Sequence, residues 1–315
     1  MTAIEIRHIS KRYGKIRALD DISLEVDAGE IFGLIGPDGA GKTTLFRIMT
    51  TLMLPDSGSG TVCGLDIVKD YAGLRRIIGY MPGRFSLYQD LSVKENMDYF
   101  ATLFGTTVRE NYETIREIYS QIEPFADRRA GKLSGGMKQK LALCCALVHK
   151  PSVLFLDEPT TGVDAVSRKD FWNMLFRIKA SGVTIFVSTP YMDEAARCDR
   201  LALIRDGSII GTGTPSEIVS GFPFRLLSVR GSRMYRLLKE LRNIPGVISC
   251  FSFGDSHHVT YDPAVTDRVR ILARLSDAGF GDCTAMDIMP CIEDCFMWLP
   301  GRRDVPTAGQ DGLRA

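Results

Sequence analysis

Apolar positions along this chain follow two periods. Near the start, Ile4 and Ile6, then Ile22, Leu24 and Val26, alternate with polar neighbours, the pattern of half-buried antiparallel strands. KRYGKIRAL between them predicts an exposed turn carrying Tyr13. Residues 30–35 (EIFGLI) form a short apolar run suited to a buried strand. Leu45, Ile48, Met49 and Leu52 then recur at i, i+3, i+4 and i+7, the apolar stripe of a helix. Residues 84–130 are mostly polar and helical in pattern. A further helix opens at Leu133, Ser134, Gly135, Gly136 and Met137, with Met137, Leu141, Cys144 or Cys145, and Val148 on its apolar face. Residues 153–156 (VLFL) and 183–187 predict two more buried strands, with a helix over 167–180 between them. Both strands end in polar tips, Asp157, Glu158 and Pro159 in one case and Ser188, Thr189 and Pro190 in the other. Strands separated by helices and tipped this way describe a doubly wound α/β domain whose ligand sits at the carboxyl ends of the strands. Residues 201–210 predict a hairpin around Asp206 and Gly207.

The pattern changes at Ser220, Gly221, Phe222 and Pro223, which read as a linker. Beyond it come a strand (225–229), a helix with Met234, Leu237, Leu238 and Leu241 in register, two strands, a helix and a strand. That βαββαβ order predicts a small α+β domain of ferredoxin-like type. The expected organisation is therefore an α/β domain over 1–220 with a helical subdomain at about 84–150. An accessory domain over 224–299 follows, and then a Gly/Pro/charge-rich tail over 300–315 expected to be disordered.

A chain of 315 residues accommodates one large and one smaller domain. A net charge of +1 gives no electrostatic footprint for nucleic acid or an acidic membrane. No apolar run approaches the ~20 residues that span a bilayer, and the polar N-terminus does not read as a signal peptide. Eight cysteines without C-x-x-C spacing predict reduced thiols in a cytosolic protein. The adjacent Cys144 and Cys145 read as helix packing, and Cys291 and Cys295 as one face of a short helix. His257 and His258 have no acidic or thiol partner at ligand spacing, so strand surface is expected there rather than a metal site.

The chemistry concentrates after the first buried strand. Gly36, Pro37, Asp38, Gly39, Ala40, Gly41, Lys42, Thr43 and Thr44 satisfy G-x-x-x-x-G-K-[ST], with a strand before and a helix after. Backbone amides of such a loop converge on phosphate oxygens, and the helix N-terminus adds roughly half a positive charge. Lys42 would neutralise the β- and γ-phosphates, and the Thr43 hydroxyl would ligate Mg²⁺. Asp157, at the end of an apolar strand, can hold Mg²⁺ through water, and Glu158 can polarise an attacking water. Ser134 and the amides of Gly135 and Gly136 open a helix, a second anion-binding end.

Loop, strand tip and LSGGMKQK together resemble the nucleotide-binding domain of the ATP-binding cassette (ABC) transporter family, over residues 3 to about 218. The resemblance implies ATP and Mg²⁺ as cofactors and Glu158 as the catalytic residue. It implies two domains closing head to tail, each ATP lying between the phosphate loop of one and Ser134, Gly135 and Gly136 of the other. Tyr13 would stack on adenine, the alternative being an ordinary turn aromatic, and Asp164 would lie at the dimer seam. The helical insert would touch transmembrane permease subunits, which places the chain in the cytoplasm, on the inner face of the membrane. The stretch MPCIEDCFMWL is similar to the closing motif of C-terminal domains on drug-export ATPases.

Two departures from the family pattern stand out. Gly83 occupies the place of a glutamine that contacts Mg²⁺ and the lytic water, and Gln89 lies six residues on, too far to substitute. Pro190 occupies the place of a histidine that grips the γ-phosphate. Glycine has no side chain and proline lacks even the backbone N–H. Losing a group of this kind costs roughly 10²- to 10⁴-fold in rate. With Lys42, Thr43, Asp157, Glu158 and LSGG intact, the expectation is a site that binds ATP but hydrolyses it weakly. The chain is also similar to the first half of tandem ATPases in bacterial multidrug exporters. A heterodimer with a second, intact ATPase subunit is therefore expected, a homodimer being the alternative. A regulatory ATP-binding module and a non-transport ABC ATPase are the competing readings. Binding of nucleic acid is not expected.

Overall fold

The computed structural model describes residues 1–299, which divide into a first unit, Met1–Pro215 with Leu299, and a second, Ser216–Trp298. The tail over 300–315 lies outside the described residues. Alternation in the first unit produces β1 (Thr2–Tyr13) and β2 (Ile16–Asp27), antiparallel and paired Ile4 to Val26 and Ile6 to Leu24. The buried run forms β3 (Ile31–Ile35), followed by α1 (Lys42–Met49). Then come β4 (Ser57–Val62), β5 (Leu65–Asp66), α2 (Tyr71–Ile77) and β6 (Ile78–Met81). The helical insert contributes α3 (Val93–Leu103), α4 (Tyr112–Tyr119) and α5 (Gly135–Leu147). The chain returns through β7 (Val153–Asp157), α6 (Ala165–Ala180), β8 (Thr184–Thr189), α7 (Met192–Ala195), β9 (Arg200–Arg205) and β10 (Ser208–Gly213).

These strands build two sheets. One has the order β2-β1-β4-β5 and is antiparallel; the other has the order β10-β9-β3-β8-β7-β6 and is parallel except for β10. The hairpin between β9 and β10 turns at Asp206 and Gly207, both at positive φ, as a two-residue turn between right-twisted strands requires. Beneath the glycine-rich loop lies an aromatic cluster. Phe46 on α1 packs edge-on to Phe155 of β7 at 5.9 Å and tilted on Phe186 of β8 at 4.8 Å. All three rings are fully buried, so the helix behind the loop is fixed to β7, whose tip carries Asp157 and Glu158, and to β8, whose tip carries Ser188.

The stripe expected to run through Leu52 stops sooner. Helix α1 ends at Met49 with Thr50 as its cap, Thr51 turns into the left-handed region, and the Leu52 amide donates back to the Arg47 carbonyl at 2.8 Å. This closing motif satisfies the last carbonyls and throws Leu52 out of register, leaving it exposed.

Helix α8 (Pro215–Ser220) leads into β11 (Arg225–Arg230), α9 (Met234–Arg242), β12 (Val247–Phe253), β13 (Ser256–Tyr261), α10 (Arg268–Asp277), β14 (Thr284–Asp287) and α11 (Ile292–Trp298). Its sheet has the order β12-β13-β11-β14 and is antiparallel throughout. Leu227, Val229, Val259 and Tyr261 pack with Leu237, Leu241, Ile271 and Leu275 of α9 and α10 into a separate core. The expectation of a surface histidine pair fails here. His257 is buried, its Nε2–H donating to the Met234 carbonyl at 2.8 Å, and His258 is half-buried with Nδ1 at 2.7 Å from Asp294. Asp294 lies 36 residues further along the chain, which is why local spacing did not disclose it.

Candidate functional site

Residues 36–44 leave β3 and enter α1 through a loop that only glycine permits at two points. A side chain on Gly36 would stand 2.2 Å from the Ile204 carbonyl oxygen, and Gly41 has φ +107 with its Cβ direction 2.4 Å from the Ala18 carbonyl. Gly41 is the N-cap of α1 and supplies no side-chain acceptor. The first amides of the helix are thus left for a ligand rather than for a capping residue. Pro37, Asp38 and Gly39 are exposed, Ala40 and Lys42 are buried, and Thr43 and Thr44 are half-buried.

Lys42 turns back on its own loop. Its ammonium donates to the Gly36 and Pro37 carbonyls at 2.8 and 2.9 Å and lies 3.0 Å from Glu158 Oε1. Asp157 is buried at the end of β7, where its Oδ1 accepts the Ser188 hydroxyl at 2.7 Å. Burial pushes the Asp157 carboxyl above its ordinary value, against hydrogen bonds from Ser188 and Thr43 that pull it down. The structure therefore brings Lys42, Thr43, Asp157 and Glu158 together. Carboxylate and hydroxyl oxygens side by side are the hard donors that suit Mg²⁺, which takes few protein ligands and completes its shell with water and phosphate.

Glu158 has φ +51, an uncommon conformation for a residue with a side chain. Its amide donates to both the Ser188 carbonyl at 3.0 Å and the Ser188 hydroxyl at 3.1 Å. Ser188 thus fixes both acidic residues. Sequence reasoning noticed it only as part of a polar strand tip, because a hydroxyl on a neighbouring parallel strand carries no motif.

Ser134 caps α5, accepting the Met137 amide at 3.4 Å. The cap is weak in geometry, and beside it Gly135 is exposed and Gly136 half-buried. Gly135 and Gly136 stand against the start of α6 and the turn before it. A side chain on Gly136 would stand 3.2 Å from Ser167 Oγ, and one on Gly135 3.9 Å from the Gly162 carbonyl. Asp164 caps α6, accepting the amides of Val166 and Ser167 and the Ser167 hydroxyl. Tyr13, at the end of β1, is largely exposed and directs its hydroxyl to Met53 Sδ at 3.0 Å. Gln89 lies against Gly131, whose amide donates to the Gln89 carbonyl at 2.9 Å.

At the two departures the geometry is specific. A Cβ on Gly83 would stand 2.9 Å from the Asp157 carbonyl oxygen and 3.7 Å from Glu158 Cβ. Pro190 follows β8 directly, beside Tyr191, whose ring carries the Arg168 guanidinium at 4.8 Å. A cavity of about 530 Å³ opens between α2 and β6 on one side and α3 and α5 on the other. Leu52, Tyr80, Met81, Leu87, Leu103 and Phe104 line it. Among the described residues no helix is long and apolar enough to cross a membrane.

Comparison with known proteins places these features. The family model described as ABC transporter matches residues 19–161. The chain is 38% identical over 291 residues to the probable multidrug ABC transporter ATP-binding protein YbhF of Escherichia coli, covering 90% of this chain and 49% of that protein. It thus spans about half the length of the first curated relatives it matches. It is 34% identical over 305 residues to the Nod factor export ATP-binding protein I of a Rhizobium species, covering 95% of this chain and 97% of that one. A solved ATP-binding subunit of an ABC transporter superposes with a TM-score of 0.64 at 28% identity, over 70% of this chain and 93% of that structure.

Proposed function

This chain belongs to the ATP-binding subunits of the ABC transporter family, and from that premise we propose that it binds ATP with Mg²⁺, closes against a second ATPase subunit, and powers export of drug-like or other small hydrophobic molecules through separate permease subunits. In this reading the amides of residues 36–44 cradle the phosphates, and Lys42 offsets their charge. Thr43 and Asp157 hold Mg²⁺, which would neutralise charge developing on the phosphates. Glu158 orients and polarises the attacking water. Tyr13 stacks on the adenine, and Ser134, Gly135 and Gly136 complete the site of the partner. The grouping of Lys42, Thr43, Asp157 and Glu158 around one strand tip supports the first part of this assignment. The names of the relatives, multidrug and Nod factor export, support the direction of transport.

The chain's own site is a weak hydrolase in this reading. The observation that carries this is the pair Gly83 and Pro190. Neither has a side-chain donor or acceptor, while Lys42, Thr43, Asp157, Glu158 and the stretch Ser134, Gly135 and Gly136 are present. A partner ATPase with glutamine and histidine at those places would then perform most of the turnover, its nucleotide held by this chain's Ser134, Gly135 and Gly136. The apolar cavity beside α3 is where a permease segment would dock, with the chain on the inner, cytoplasmic face of the membrane.

The test is steady-state Mg-ATP turnover by the purified chain, beside Glu158→Gln, with nucleotide binding followed in parallel. Binding without turnover above the variant is expected. Turnover that Glu158→Gln abolishes would make a plain homodimer the better description, and no binding at all would remove the assignment.

A further inference from the structure

Glu194, on the short helix α7, is 2% exposed, an unusual setting for a carboxylate without a cationic partner. One of its oxygens makes two bonds that span the site. Oε2 accepts the Thr160 hydroxyl at 3.0 Å and the Thr189 hydroxyl at 2.7 Å. Its other oxygen, Oε1, is buried with no protein donor among the described residues. Thr160 lies two residues beyond Glu158, in the turn where the Thr161 amide donates to the Glu158 carbonyl at 3.2 Å. Thr189 is the neighbour of Ser188, which holds the Asp157 carboxylate and the Glu158 amide. Thr189 Oγ1 also accepts the Tyr191 amide at 3.1 Å, so the turn through Pro190 hangs on the same group.

We propose that Glu194 is a positioning residue of the nucleotide site, tying the turn after β7 to the tip of β8 so that Asp157 and Glu158 are presented to the metal and water as one rigid unit. This rests on the ATP-and-Mg²⁺ reading above. Sequence pattern did not single the residue out, because its partners are threonines 34 and 5 positions away on other elements. The arrangement also explains how Pro190 is tolerated. The turn it occupies is oriented by Thr189 and Glu194 rather than by a side chain at 190 itself. Since the side-chain bonds of Glu194 run to Thr160 and Thr189 and not to residues 36–44, its loss acts on how Asp157 and Glu158 are aimed and leaves the phosphate loop alone.

The experiment compares wild type, Glu194→Gln, Glu194→Leu and Thr189→Val in the full chain. ATP Kd is measured with Mg²⁺ and with chelator, and amide hydrogen exchange over 158–164 and 188–191 is measured without nucleotide. Glu194→Leu is expected to reduce the enhancement of ATP affinity by Mg²⁺ on the order of tenfold, with the chelator Kd changed less than about twofold. Glu194→Gln should stay within about threefold of wild type, since one amide oxygen can accept both hydroxyls. Thr189→Val should move in the direction of Glu194→Leu. Exchange should accelerate in both segments together in Glu194→Leu and not in Glu194→Gln. Equal losses with and without Mg²⁺, Gln as damaging as Leu, or exchange unchanged in the Leu variant would each overturn the proposal. If wild type binds no ATP, the functional reading fails, and the exchange result alone still decides whether Glu194 ties the two segments.

Discussion

Lys42 Nζ lies 3.0 Å from Glu158 Oε1 while also donating to two carbonyls of its own loop, so all three of its N–H bonds have acceptors within the protein. A phosphate entering the loop competes with Glu158 for the lysine. Replacing Glu158 by Gln removes the charged competitor and also the repulsion between carboxylate and phosphate, and both changes act in the same direction. ADP in the absence of Mg²⁺ is the cleanest probe, because neither hydrolysis nor metal enters. We expect Glu158→Gln to tighten ADP binding by about fivefold, or about 1 kcal/mol, in calorimetry. An unchanged or weaker affinity would mean that the pair does not restrain the lysine.

Gly83 lies so close to the β7 tip that restoring a glutamine is not a simple reversal. A Cβ there would meet the Asp157 carbonyl oxygen at 2.9 Å, a backbone atom that cannot rotate away. Insertion into a packed site of this kind costs about 1–3 kcal/mol. Gly83→Gln is therefore expected to lower Tm by several degrees and to raise turnover by less than about threefold, even when combined with Pro190→His. A tenfold gain at unchanged Tm in the single Gly83→Gln variant would show that the strand tips accommodate the side chain and that glycine alone limits turnover.

These two relationships also show what sequence could and could not disclose. The grouping of Lys42 with Thr43 was legible because one turn of chain dictates it, and Asp157 and Glu158 because an apolar strand ending in acids carries its own signature. That β3, β7 and β8 run parallel followed from strands separated by helices. Ser188 and Glu194 were not legible, since each acts through a hydroxyl or carboxylate on an adjoining element and no local spacing marks such a partner. The same reason hid Asp294 behind His258. Leu52 misled because a periodic stripe does not reveal a left-handed closing residue, here Thr51, that ends the helix first.

Asp157 provides a prediction in stability. Its carboxyl is raised above the ordinary 3.8 chiefly by burial. A carboxyl with a raised folded value disfavours its charged form in the fold. The destabilisation is complete above the folded value and vanishes below the unfolded one. Asp157→Asn should accordingly raise Tm of the nucleotide-free chain at pH 7, and the difference should shrink as pH falls toward about 4. The same variant should lose the dependence of ATP affinity on Mg²⁺. Scanning calorimetry across that range checks the sign, and a variant less stable than wild type at pH 7 would mean that the hydrogen bonds from Ser188 and Thr43 outweigh burial.

In the second unit, His258 and Asp294 join β13 to α11. Their atoms stand 2.7 Å apart with side chains 13% and 6% exposed, and the other Asp294 oxygen accepts the Cys291 amide at 2.8 Å. The His258 ring stacks on Phe253 at 4.0 Å and 3°, so the imidazole has little freedom to find another acceptor. Removing one member leaves a buried polar group unsatisfied, which costs about 1–3 kcal/mol. Asp294→Leu takes away the acceptor of both His258 and the Cys291 amide, whereas Asp294→Asn can keep the bond to His258 through its remaining oxygen. We therefore expect Asp294→Leu to speed amide exchange throughout 292–298 and along β13, with Asp294→Asn intermediate between it and wild type. ADP affinity, measured on the same samples, reports whether the first unit is still folded. Exchange over 292–298 that matches wild type in the Leu variant would mean that α11 is held by the buried Ile292, Cys295 and Phe296 alone.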